Sequence, residues 1–176
     1  MLKDLINKRQ SVRKYKPDPV PAESIAACIE AARLAPSACN AQPWKFIIVD
    51  NEALCQQVGE AAKGMGMNGF CSSVPCIAVL VMEKPNAISA IGSVLKNKEY
   101  TLIDIGIVAE HFCLQAAELG LGTCMIGWFD EKKVRKLLGI PKNRRLPLLI
   151  TVGFPDETPR EKSRKTTEQI YSRNRY

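Results

Sequence analysis

Apolar residues along this chain keep two alternating rhythms, one of helix spacing and one of short continuous runs. Leu2, Leu5 and Ile6 share a helical face and Arg9 follows on the same side, which predicts a short helix over 2–9. Pro17, Pro19 and Pro21 force an extended segment, because proline lacks an N–H and biases its predecessor away from helix. Ile25, Cys28, Ile29 and Ala32 keep the i, i+3, i+4, i+7 period of an amphipathic helix over 23–34, ended by Pro36. The run from Lys45 to Val49, bounded by Pro43 and Asp50, predicts a buried strand. Residues 52–63 predict a helix, 64–69 a loop, and Cys76 to Met82 a second buried strand.

Between 84 and 100 the pattern is divided. Ile88, Ile91 and Leu95 have helical spacing, while Pro85 and Gly92 oppose it. Residues 101–119 predict the strongest helix, apolar nearly all round through Leu102, Ile103, Ile105, Ile107, Val108, Phe112, Leu114 and Leu119. A helix without a wide polar face is buried in a core or an interface. A chain of 176 residues has little core with which to enclose a whole helix, so this one is expected to build part of a homodimer interface. Gly120 and Gly122 end it. Thr123 to Ile126 predicts a third strand, Asp130 caps a helix through Leu138 that Gly139 closes, and Leu146 to Val152 predicts a fourth strand with Pro147 at its start. No repeat or linker interrupts the chain, so residues 1–176 are expected to form a single domain. Strands alternating with helices predict a mixed α/β or α+β sheet with helices packed on it.

Composition adds limits rather than direction. The chain is 46% hydrophobic and 24% charged, an ordinary soluble globular balance. Its net charge of +7 raises nucleic-acid binding, since much of the excess sits at 8–16 and 160–175. Only Tyr15, Tyr171 and Tyr176 could stack bases there, so a scattered basic surface is the better reading. Seven cysteines without Cys-x-x-Cys spacing, and a single histidine, His111, argue against a zinc site. The charged start at Lys3 and Asp4, and the lack of any apolar run of ~18 residues, point to a cytoplasmic protein with reduced thiols.

Candidate chemistry concentrates in four segments. If the first helix persists, Arg9 and Arg13 lie on one face four residues apart with Ser11 between them. Two like charges so placed suit a bound anion such as phosphate, and taken alone they read first as a solvated basic helix end. Ser37, Asn40 and Gln42 lie in a loop stiffened by Pro36 and Pro43, which lowers the entropic cost of presenting hydroxyl and amide groups. That density favours a binding role for Asn40 and Gln42, with Trp44 in the core. Gly127 follows the third strand, where a missing Cβ lets a ligand approach the backbone or simply permits a turn. Lys162 and Arg164, at i and i+2 in an extended tail, point to one side, with a solvated charge run as the default. The loop at 64–69 lacks the features of a P-loop, and His111 reads as a packed, hydrogen-bonded histidine. Cys39, beside Asn40, is a candidate for an exposed thiol.

Several motifs stand in a fixed order: Arg-x-Ser-x-Arg at 9–13, Pro-Val-Pro at 19–21, Ala-Ala-Arg-x-Ala-Pro-Ser at 31–37, and Asn-x-Gln-Pro-Trp-x-Phe at 40–46. Together they resemble the nitroreductase family of FMN-dependent oxidoreductases, with weaker matches at Asp104, at 119–124 and at 162–164. The resemblance implies an α+β fold with a mixed central sheet flanked by helices, in an intertwined homodimer with FMN at the interface. It implies NAD(P)H as the reductant, with hydride passing through flavin N5 to a small acceptor. Arg9, Ser11, Lys162 and Arg164 map to holders of the FMN phosphate, and Arg13 to the pyrimidine edge of the flavin. Pro36, Ser37 and Ala38 map to a segment contributed by the partner chain, with Asn40 and Gln42 in the same loop. Gly127, after Ile126, maps to a backbone N–H facing flavin N5, and Asn68 to an asparagine near the ring. Flavin would carry the redox chemistry, so no side-chain nucleophile is required. A fixed Arg13 would favour the reduced, anionic flavin. The stretch 84–100 is short where larger relatives place a helical excursion, which implies a reduced lid and leaves nitroaromatics, quinones and enones open as acceptors. The alternative is a flavin-binding or flavin-storage protein without turnover.

Overall fold

The computed structural model describes residues 2–64 and 66–176. Met65, within the segment expected to be a loop at 64–69, lies outside the described residues. Four strands form the sheet: β1 (Trp44–Val49), β2 (Cys76–Met82), β3 (Gly122–Ile126) and β4 (Leu148–Gly153). Their spatial order is β1-β2-β4-β3, and every neighbouring pair is antiparallel. β2 holds the centre because its apolar residues do not alternate with polar ones, so it can be buried on both faces. Cys76, Ala78 and Leu80 point to one apolar cluster, and Ile77, Val79 and Val81 to the other. Each buried Leu, Ile or Val contributes roughly 1.5–3 kcal/mol over its exposed state.

Helices cover both faces. α2 (Ala22–Arg33) and α5 (Tyr100–Glu118) pack on the first, where Phe112 stacks on Phe46 with ring centroids 5.4 Å apart. α3 (Glu52–Ala62) and α6 (Glu131–Leu137) cover the second through Cys55, Val58 and Val134. The Asp130 carboxylate caps α6 by accepting from the Lys133 N–H at 3.0 Å, as the sequence predicts. The result is an α+β fold of helix, sheet and helix layers. The sheet's mixed character lies at its edge. The chain following α1 (Leu2–Lys8) meets β3 through a parallel bridge between Ser11 and Thr123.

The divided stretch at 84–100 resolves as α4 (Ala87–Lys96). Asn86 caps it by accepting from the Ser89 N–H at 2.9 Å, and Asn97 ends it at φ 48°. β1, expected to be buried, is an edge strand with Lys45 exposed, because only β2 pairs with it. A short α7 (Thr167–Ile170), closed by a capping box between Thr166 and Gln169, was not predicted in the basic tail. α5 turns Ile105, Val108, Ala109, Phe112 and Ala116 inward. Ile103 on its other side is 55% exposed, and Ile107 and Leu114 are half-buried, so its own chain encloses only one face.

Candidate functional site

α1 stops at Lys8, so Arg9 and Arg13 do not share a helical face. The reason is a non-local competitor: the Val12 N–H donates to the Thr123 carbonyl at 2.9 Å and the segment runs extended along β3. Val12 is buried against Gly122, where a Cβ would stand 2.7 Å from a Val12 methyl. Alternate residues of an extended chain face one way, so Ser11 and Arg13 share a side, opposite Val12, while the Arg9 N–H still donates to the Leu5 carbonyl at 2.9 Å at the end of α1. Tyr15 anchors this segment. Its hydroxyl donates to the Val12 carbonyl at 2.7 Å and shares a hydrogen bond with Thr151 Oγ1 at 2.7 Å. Burial pushes its phenol pKa far above the usual range.

The chain's tail returns to the same place. The Lys16 N–H donates to the Phe154 carbonyl and the Asp156 N–H to the Lys14 carbonyl, each at 2.9 Å. Glu157 then accepts from the Arg13 N–H at 3.3 Å. The Arg160 N–H donates to Gln10 Oε1 at 3.0 Å, and its guanidinium donates to the Ser11 carbonyl. The Lys162 ammonium donates to the Ile6 carbonyl, and the Arg164 guanidinium to the Ser163 carbonyl at 2.7 Å. Burial, followed by the charges of Arg9 and Arg164, lowers the pKa of Lys162. Glu110 of α5 answers this cluster with its carboxylate 3.3 Å from Arg9 Nε. Arg9 and Arg164 thus lie near Lys162, with Glu110 as the carboxylate that acts on it. Burial also raises the Cys124 thiol on β3, while Arg13, Ser11 and Arg160 pull it back, so these residues flank the same strand.

The polar loop after α2 is held differently. Cys39, Asn40 and Gln42 all have positive φ, at 51°, 51° and 45°, a strained conformation for residues other than glycine. Ser37 Oγ accepts from the Gln42 N–H at 2.9 Å, and Gln42 Nε2 donates to Asn40 Oδ1 at 3.0 Å. The Ala38 N–H donates to Asp104 Oδ1 of α5 at 3.0 Å. Asn86, at the start of α4, donates to the Cys39 carbonyl at 2.9 Å. Pro36 is exposed at the loop's entry. Among the described residues, none of these hydrogen bonds reaches the cation cluster.

Past β3, Gly127 is exposed with nothing within 4 Å of where a Cβ would stand. Asn68 stands beside it, its Nδ2 donating to the Trp128 carbonyl at 3.1 Å from a left-handed backbone at φ 58°. Ile126 is 4% exposed and its side chain belongs to the core, which leaves only its backbone to face a ligand. The structure therefore brings Arg9, Lys162 and Arg164 together, sets Ser11 against Thr123 and Arg160, ties Asn68 to the carbonyl of the residue after Gly127, and keeps the loop of Ser37, Ala38, Asn40 and Gln42 apart. Sequence reasoning did not assign parts to Glu110, Asn86, Glu157 and Arg160, and it gave Asp104 none beyond a motif match. Asp104 carried a signal, a carboxylate at core-facing spacing on an apolar helix.

His111 is half-buried and its Nδ1 bonds the Ile107 carbonyl at 3.0 Å, the packed arrangement expected. Cys39 is exposed and the other six cysteines are buried, all unbridged. Among the described residues, no group of three His, Cys, Asp or Glu side chains could hold a metal ion, and no helix is long and apolar enough to cross a membrane.

Residues 6–67 and 74–154 match the nitroreductase family. The chain is similar to an NADH dehydrogenase of Thermus thermophilus, with 27% identity over 93% of this chain and 91% of that protein. Among solved structures it is similar to a nitroreductase family protein from Streptococcus pneumoniae, with a TM-score of 0.85, 26% identity, and 99% of this chain and 100% of that one covered. It is also similar to an FMN-dependent nitroreductase from Clostridium difficile, with a TM-score of 0.82, 26% identity and 98% of each chain covered.

Proposed function

Because this chain belongs to the nitroreductase family, we propose that it is an FMN-dependent NAD(P)H oxidoreductase, one flavin-binding unit over residues 1–176, that works as a homodimer. Its acceptor is a small molecule such as a nitroaromatic, a quinone or an enone. The observation that carries this reading is the convergence of Arg9, Lys162 and Arg164, from the two ends of the chain, beside Ser11 on the β3 edge. Among the described residues, the charges that act on Lys162 are two cations, Arg9 and Arg164, and one carboxylate, Glu110, an excess that a phosphate offsets. The donor set therefore fits FMN.

FMN, when bound, supplies the two-electron chemistry, taking hydride from NAD(P)H at N5 and giving it to the acceptor. This chain's residues supply position and charge. Arg9, Ser11, Lys162 and Arg164 hold the phosphate. Arg13, exposed on the same side of the extended segment as Ser11, would supply a cation to the flavin's pyrimidine edge and so favour extra negative charge there. Gly127 and the Ile126 backbone, at the end of β3 with open space beside them, would present backbone N–H groups to the flavin ring, with Asn68 bonded to the next carbonyl. Pro36, Ser37, Ala38, Asn40 and Gln42 complete the site of the second copy. Two observations favour that arrangement: the loop is tied to α4 and α5 rather than to the cluster, and α5 leaves Ile103, Ile107 and Leu114 uncovered or half-covered.

The test is the absorbance spectrum of the purified protein, before and after NADH or NADPH is added without oxygen. Flavin bands that bleach are expected. Bands that persist with both nucleotides would point to a flavin holder without this turnover. A protein that shows no bands and does not bind added FMN would overturn the reading.

A further inference from the structure

Asp104 is 2% exposed, on the core-facing side of α5. One carboxylate oxygen accepts the Ala38 N–H at 3.0 Å, and the other is buried with no hydrogen-bond partner among the described residues. A buried carboxyl group with a single donor is an expensive group to keep in an apolar helix, since burial leaves acceptor sites unmet. What it holds is a strained segment. Cys39, Asn40 and Gln42 have left-handed backbones, and such conformations persist only where the surroundings fix them. Ser37 Oγ and Gln42 tie the loop to itself, while Asp104 ties it to α5 and Asn86 ties it to the start of α4.

We propose that Asp104 is a positioning residue: through the Ala38 amide it fixes the Ser37–Gln42 loop in the shape that the second copy's flavin meets. The proposal rests on the flavin reading above. Asp104 touches neither reacting atoms nor cofactor and acts only through the loop. The property required of it is a hydrogen-bond acceptor at Oδ1. The second oxygen, Oδ2, has no partner among the described residues and adds nothing to this contact. This separates two substitutions that share the branched skeleton of aspartate. Asp104→Leu removes the acceptor, whereas Asp104→Asn keeps an acceptor oxygen and removes the charge.

The experiment measures backbone amide exchange over residues 37–42 in the flavin-free protein, together with FMN affinity by fluorescence quenching. In Asp104→Leu, exchange over this loop is expected to quicken about tenfold and FMN affinity to weaken about tenfold, the upper scale of one lost hydrogen bond. Exchange in β2 and β4 should be unchanged. Asp104→Asn is expected to restore both readouts to within about threefold of wild type. Unchanged loop exchange in Asp104→Leu would overturn the proposal, as would faster exchange with unaltered FMN affinity. Should the leucine variant not fold, Asp104→Asn still decides, because a loop loosened in that variant would show that the acceptor is not what holds it. Wild-type protein that binds no FMN would instead overturn the functional reading, and the exchange measurement separates the two failures.

Discussion

Glu110 sits inside the cluster proposed to take a phosphate, and its carboxylate occupies Arg9 at 3.3 Å. Replacing it with glutamine should tighten FMN binding. A phosphate seated on Arg9 would stand ~6 Å from Glu110. At a half-exposed site with an effective dielectric of about 60, repulsion is ~1 kcal/mol per unit charge. A phosphate carrying a charge of about −1.5 to −2 would then feel ~1.5–2 kcal/mol, roughly halved by screening near physiological ionic strength. Against this stands the lost orientation of Arg9, which its pair with Glu110 holds in place, worth at most the pair itself. Their side chains are 21% and 42% exposed, which puts the pair in the class contributing ~0.2–1 kcal/mol. The balance is a gain of ~0.5 kcal/mol at physiological salt and about 1 kcal/mol at low salt, or roughly two- to fivefold in Kd. The assay is quenching of FMN fluorescence by flavin-free wild type and Glu110→Gln at low and physiological salt, with riboflavin as the phosphate-free control. Weaker FMN binding by the variant, or an equal gain for riboflavin, would refute the reasoning.

Gly122→Ala places a methyl 2.7–2.9 Å from the buried carbons of Val12. The overpacking should cost about 1–3 kcal/mol, lower Tm by roughly 2–10 °C and weaken FMN binding by pushing the Ser11 segment from β3; an unchanged Tm would contradict it. Gly127→Ala, with open space around the new methyl, should leave Tm unchanged and slow flavin reduction by NAD(P)H. A large loss of Tm with normal reduction would reverse that assignment. Burial raises the Cys28 thiol to about 11 and those of Cys55, Cys71, Cys76 and Cys113 to about 12. The folded chain therefore keeps protons that the unfolded chain releases near pH ~8.5. Stability should be complete below that pH and be lost progressively as pH rises toward about 12, so equal urea midpoints at pH 8 and pH 10 would falsify the linkage.

The parts of this fold that were readable in sequence are those whose structure is decided locally. β2 announced itself as an apolar run, α2 by its 3.6 period, and α6 by the Asp130 cap. What stayed hidden depends on distant partners. Nothing between Lys45 and Val49 says whether the strand will have one neighbour or two, so β1 read as buried. The end of α1 is set by Thr123, more than a hundred residues away, whose carbonyl takes the Val12 N–H. The same holds in the candidate site. Pro36 and Pro43 marked the loop, but its left-handed residues and its ties to Asp104 and Asn86 belong to the folded state. Lys162 was noted for its spacing from Arg164, whereas its place is fixed by the Ile6 carbonyl and by the pairing of Asp156 with Lys14.

The exit from α1 at Arg9 changes what the two arginines can do. On a helix, positions i and i+4 lie within ~6 Å and face one way. Along a chain that leaves the helix and pairs with β3 the same positions separate, up to ~13 Å at the backbone for ~3.3 Å per residue, so the two guanidiniums need not converge on one anion. Arg9 shares its surroundings with Lys162, Arg164 and Glu110, whereas Arg13 lies farther along β3, toward Gly127. The two should therefore act on different ends of the cofactor. Arg9→Ala should weaken FMN by about 10- to 100-fold, the scale of a charge-assisted hydrogen bond, and leave riboflavin nearly unaffected. Arg13→Ala should weaken FMN and riboflavin alike and lower the flavin's midpoint potential, because it removes a cation that favours the reduced form. Titrating both flavins against both variants, with a potential measured for Arg13→Ala, separates the roles. Riboflavin binding and potential both unchanged in Arg13→Ala would return Arg13 to the phosphate end or to the solvent, and the division drawn from strand geometry would fail.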